Sequence, residues 1–215
     1  MNSDAAPGRA SLDHWTRLWQ RLGAVTPAEP VYRQLVARYS EPGRAYHTLE
    51  HVARCLEELD RHASLAEHPD EVAAALWFHD AVYDTRRNDN EEQSAAWARE
   101  TLGAAKVAAP VIDRIGRLIL VTRHREPPPA TDADAALVSD IDLAILGAPR
   151  AEYARYQEAI RTEYAWVPEP AFRAARKSVL EGFLARSQIY ATRPFAEALE
   201  ARARENLRGA LDALR

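Results

Sequence analysis

The stretch Val72-Ala-Ala-Ala-Leu-Trp-Phe-His79-Asp80-Ala-Val-Tyr-Asp84 runs an apolar helical pattern into an adjacent imidazole and carboxylate. Two hard ligands beside an apolar wall lose hydration without compensation, and a single divalent cation compensates both. The fold reading follows from the helical run, and the functional reading depends on whether distant segments supply further ligands.

Outward from this stretch, the apolar spacing is helical nearly throughout. The chain is rich in Ala, Leu, Arg and Glu, with β-branched residues scattered rather than clustered, which predicts an all-α protein. Helices are expected over about 11–22, 28–39, 48–62, 70–82, 91–102, 110–122, 132–146, 151–164, 171–185 and 194–211. Ser11, Asp70 and Asp132 suit N-caps, Pro110 and Pro194 suit first turns, and Gly23, Gly103 and Gly147 suit C-terminal stops. The least helical segments, about 40–45, 84–90 and 125–130, are too short to be domain linkers and lie beside histidine-bearing stretches, where loops tend to frame a site. No internal repeat is visible.

With 215 residues and 47% hydrophobic content, the chain is long enough for one sizeable core, so a single domain over 1–215 is expected, its first ten or so residues unstructured. The formal charge of −4 argues against an extended nucleic-acid surface or attraction to anionic lipid, while leaving room for a local basic pocket that holds a phosphate. Cys55 is the only cysteine, so no intramolecular disulfide forms, and no apolar span suggests a membrane segment or signal core. A cytoplasmic protein is the expectation; oligomeric state is unreadable.

A second cluster, Arg44-Ala-Tyr-His47-Thr-Leu-Glu50-His51, places His47 and His51 four residues apart, on one side of a helix beginning here. One reading is the inverted zinc-peptidase pattern H-x-x-E-H, with both histidines on the metal and Glu50 as base; it leaves His79-Asp80 without a role. The other joins one histidine of this early helix, His79-Asp80 and an aspartate of Val138-Ser-Asp140-Ile-Asp142 into an ordered H…HD…D series.

That series resembles the HD superfamily of metal-dependent phosphohydrolases. The strings Arg44-x-Tyr46-His47-x-x-x-His51, Trp77-Phe78-His79-Asp80-x-Val82-Tyr83-Asp84, Asn90-Glu91-Glu92-x-Ser94-Ala95, Asp140-x-Asp142-Leu143-Ala144-Ile145-Leu146-Gly147, Tyr153-x-x-Tyr156 and Ile160-Arg161-x-Glu163-Tyr164 together look like a bacterial family of HD-type phosphohydrolases. The resemblance runs from about residue 30 to the C-terminus. It implies an HD-type bundle of about eight to ten helices with an appended C-terminal helical segment.

The resemblance also implies a metal held by His51, His79, Asp80 and one of the pair Asp140 and Asp142. Residues two apart on a helix point in different directions, so only one of the pair should face the metal; the resemblance favours Asp142, with Asp140 orienting a ligand or touching substrate. Mn, Fe, Co, Ni or Zn all suit mixed imidazole and carboxylate ligands. Such a site hydrolyses a small phosphate ester or nucleotide with a metal-held water. Arg44 is expected to grip phosphate with its guanidinium fork and His47 to donate to the same group. Glu91 and Glu92 are candidates to position or deprotonate the water, and His124 is a candidate acid or second-metal ligand. His47, Glu91 and His124 each have a blander reading, as a core hydrogen-bonding residue, a helix N-terminal acid and a helix-end histidine. A binding module that keeps metal and nucleotide without turnover is the remaining class.

Overall fold

A computed structural model describes residues 8–214, and among them it contains ten α-helices and no strand. In chain order they are α1 (Leu12–Arg21), α2 (Glu29–Tyr39), α3 (Leu49–Arg61), α4 (Pro69–Phe78), α5 (Asn90–Ala104), α6 (Ala109–Val121), α7 (Ala133–Asp142), α8 (Arg150–Glu163), α9 (Glu169–Leu184) and α10 (Arg193–Ala213). Short 3-10 turns occupy Gly8–Ala10, Ala63–Leu65 and Leu143–Gly147. Each helix expected from the periodicity is present. No described helix is long and apolar enough to cross a membrane.

The apolar character of α4 decides its place. Val72 and Ala74 through Phe78 are all buried, leaving no face to give to water, and the helix is packed by α1, α3, α5, α6 and α7. Trp77 lies edge-on to Trp15 and Tyr32, with ring centroids 5.3 and 6.1 Å apart, and Phe78 packs against Trp97 at 5.1 Å. The polar handles of this aromatic cluster are satisfied: Trp15 Nε1 donates to the Ala28 carbonyl at 3.0 Å and the Tyr39 hydroxyl to that of Trp77 at 3.0 Å. At the start of α4, the buried Glu71 carboxylate takes a two-pronged contact from Arg114 of α6 at 2.5 and 2.6 Å.

Helix boundaries differ from expectation where they matter for the site. The helix expected over 70–82 ends at Phe78, because the backbone beyond it is captured elsewhere: Ala81 N bonds the Phe78 carbonyl in a tight turn, Val82 N donates to Ser94 Oγ, and the Asp80 carbonyl accepts from Arg44. Likewise α7 ends at Asp142 and tightens into the 3-10 turn Leu143–Gly147. Ser11 and Asp132 cap α1 and α7 through their side chains, but Asp70 sits inside the first turn of α4 and pairs with Arg21 at 2.8 Å. Gly23, at φ 78°, closes α1 as expected, whereas Gly103 lies within α5 and the left-handed residue beyond that helix is Lys106, at φ 64°.

The C-terminal helix is not an appendage. Phe195, Ala203 and Leu207 of α10 belong to the same continuous core as Trp15 and Val72. Asn206 donates to the carbonyls of Leu146 and Ala148 at 2.8 and 2.9 Å, and a Cβ on Gly147 would lie 2.6 Å from Leu199 Cβ, so a glycine is required where the 3-10 turn meets α10. The expectation of an unstructured N-terminus falls on residues 1–7, outside the described residues, and on 8–10, where Ala10 is fully buried.

Candidate metal centre

The sharp ends of α4 and α7 put His79, Asp80 and Asp142 beside His51, which enters from the first turn of α3. His51 Nε2 is 3.1 Å from His79 Nε2 and 3.1 Å from Asp142 Oδ1, and His79 Nε2 is 3.5 Å from the same oxygen. The ligand atoms of His51, His79 and Asp142 all lie within 4.8 Å of one another. Asp80 Oδ2 completes the group at 2.9 Å from His79 Nε2 and 3.7 Å from His51 Nε2.

The donor chemistry fits a divalent ion. His79 Nδ1 is tied to the Leu76 carbonyl at 2.8 Å, which keeps a proton on Nδ1 and leaves Nε2, facing the cluster, as the nitrogen that would give up its proton to a metal. Two imidazole nitrogens and two carboxylates thus converge on one point, the set expected of a borderline metal. Two of these ligands stand at helix C-termini, where the backbone carries partial negative charge that favours a cation.

The electrostatics of the cluster are those of carboxylates sharing nearby cationic or polar hydrogens. Burial would raise the Asp142 carboxyl, but hydrogen bonds from His124, His51 and His79 hold it well below the usual range. Burial acts the same way on Asp80 and is overcome by His79 and His47, leaving it low. His51 is lowered by its burial despite Asp142, whereas at His79 burial is outweighed by Asp80 and Asp142 and the ring is raised.

Around the centre the other expected residues divide. His124, in a left-handed conformation at φ 50°, reaches Asp142 Oδ2 at 2.8 Å, so Asp142 is gripped on both oxygens. Its Nδ1 is buried with no hydrogen-bond partner among the described residues. Glu91 is half-buried on the wall of a cavity of about 570 Å³ that also reaches Asp80, Asp142, His47 and His124. Burial, reinforced by Asp80, Glu92 and Asp142, pushes its carboxyl upward.

Four expectations are corrected. Arg44 is not a phosphate grip: its side chain is 3% exposed, it is absent from that cavity wall, and its guanidinium donates to the carbonyls of His47, Asp80 and Ala81 at 3.0, 2.8 and 3.3 Å. It holds the backbone on either side of the ligands. Asp140 turns away from the centre and accepts the backbone N–H groups of Ala191 and Thr192 at 2.7 Å each, fixing the segment that leads into α10. Glu92 points to Arg123, 2.6 Å away, rather than into the cavity. The H-x-x-E-H arrangement is not formed, since Glu50 is exposed and His47 Nδ1 bonds Glu163 at 2.7 Å while His79 joins His51.

Glu163 was missed as a positioning residue. From the end of α8 its wholly buried carboxylate accepts the N–H groups of Ala45, Tyr46 and His47 at 2.8, 2.8 and 3.0 Å, together with His47 Nδ1 and the Tyr83 hydroxyl. Burial would raise it, but these donors bring it down to about 2. The signal lay in its register: Tyr153, Tyr156, Ile160 and Glu163 recur at helical spacing, so the carboxylate occupies a core position. A second cavity, of about 400 Å³, also reaches His51 and Asp142 and is lined by Arg54, Arg61 and Arg202.

Among family models, curated proteins and solved structures, none matches this chain.

Proposed function

We propose that this chain is a divalent-metal-dependent phosphohydrolase of the HD type, acting on a small phosphate ester or nucleotide. The observation that carries the reading is the convergence of His51 of α3, His79 and Asp80 at the end of α4, and Asp142 of α7, with Asp80 and Asp142 on the wall of the 570 Å³ cavity. A divalent ion bound there supplies Lewis-acid activation of water and neutralises phosphoryl charge.

The chain's own groups have complementary tasks. His124 fixes the orientation of Asp142, and the Leu76 carbonyl fixes that of His79. Glu91, a cavity carboxyl raised by burial, is the base that takes the proton of the attacking water. His47, held by Glu163 and stacked on Tyr83 with centroids 4.2 Å apart, faces the cavity as a donor to the phosphoryl group. Burial lowers the His47 pKa, but Asp80 and Glu163 outweigh it and raise it, so the ring keeps its proton further into the neutral range.

The test is hydrolysis of an aryl phosphate and a nucleotide panel by purified protein supplied with Mn, Co, Ni or Zn. Turnover that disappears in His79→Ala and Asp142→Ala is the expected result. Metal binding without turnover on any member of the panel, with a nucleotide still bound tightly, would favour a binding module instead.

A further inference from the structure

With Arg44 committed to backbone carbonyls, the cavity beside the metal ligands needs another cation to hold an anionic substrate. Four arginines line it. Arg87 is paired with Asp89, Arg123 with Glu92, and Arg125 is exposed and donates to the Asn88 carbonyl. Arg176 of α9 differs from all three. It has no carboxylate partner among the described residues, and its Nη2 is buried with no hydrogen-bond partner there.

Its other end is fixed. Arg176 Nε donates to Gln157 Oε1 at 3.1 Å, Gln157 Nε2 in turn donates to the Tyr153 hydroxyl, and the guanidinium carbon lies 5.3 Å from the Tyr156 ring centroid. A guanidinium oriented through Nε, stacked on a phenol ring and left with a free Nη is arranged to donate to a ligand. Only Nη2 is left without a partner, and a buried donor without an acceptor costs stability, which is the pattern of a group retained for binding.

We infer that Arg176 is the anion-recognition residue of this cavity, taking a phosphate-type oxyanion on Nη2 while Gln157 and Tyr156 hold the guanidinium in place. The inference rests on the phosphohydrolase reading for the identity of the anion, but not for the existence of the anion site. The same cavity wall carries Asp80 and Asp142, so the anion lies in one chamber with the metal ligands.

Calorimetric titration of inorganic phosphate into the wild type, Arg176→Met and Arg176→Lys, each with and without Mn, tests this. Loss of a charge-assisted donor predicts roughly tenfold or greater weakening in Arg176→Met, with partial recovery in Arg176→Lys. Mn affinity is expected to be equal in all three. Equal phosphate affinity in the wild type and Arg176→Met would overturn the inference and make Arg176 structural. Arg176-dependent phosphate binding in a protein that takes up no Mn would retire the phosphohydrolase reading and leave the anion site standing.

Discussion

At the scale of single residues, some buried charges in this protein hold backbone groups in place while others face a cavity. Glu163 and Arg44 are of the first kind, and each ties a loop that carries site residues. The folded-state pKa of Glu163 lies at about 2, below the ordinary 4.5, so its contribution to stability is fully present above pH 4.5 and is lost as pH falls toward 2. Acid denaturation of the wild type beside Glu163→Gln should show a stability difference at neutral pH that narrows across that window; a difference independent of pH between 2 and 6 would refute the assignment. Arg44→Met leaves three carbonyls without their donor and should cost on the order of 3 kcal/mol in denaturant unfolding. A variant with wild-type stability but a raised KM would return Arg44 to the role of phosphate grip.

At the scale of elements, the helices are set by burial and their ends by side chains that arrive from elsewhere. α4 is the clearest case, since it packs against five other helices and contributes Leu76, Trp77 and Phe78 to the core. Leu76→Ala should lower stability by roughly 2–5 kcal/mol, the range for large-to-small changes at well-packed sites, measurable by urea unfolding. Asp140→Ala removes the two contacts that hold the backbone leading into α10 and should cost about 1–3 kcal/mol while leaving metal affinity unchanged. A large loss of metal affinity in that variant would restore Asp140 as a ligand.

At the scale of the whole molecule, the ligands link α3, α4 and α7, which are separated widely in sequence and meet only in the folded chain. A metal that binds the folded state alone must therefore stabilise all of it. At a metal concentration about a hundredfold above Kd the gain is about 2.7 kcal/mol, which a thermal melt should register as a clear rise in Tm. Chelator should reverse the rise, and His51→Ala with His79→Ala should show none; a metal-dependent Tm in the double variant would place the ion elsewhere.

The sequence by itself determined the all-α class and the ten helices, because periodic burial is a local pattern that survives any detail of packing, and it put His51, His79 and Asp142 among the candidates for the cluster that could hold a metal ion. Its misreadings share one cause. Arg44 and Asp140 were assigned from their neighbours in sequence, yet their partners come from the turn after α4 and the segment leading into α10. Arg176 carries no signal in the sequence, and it is its place beside Gln157 of α8 that leaves its Nη2 buried without a partner. The tertiary structure decided where each polar group points, since a buried hydrogen-bonding group is satisfied by whatever the fold brings within about 3 Å, and sequence order does not encode that distance.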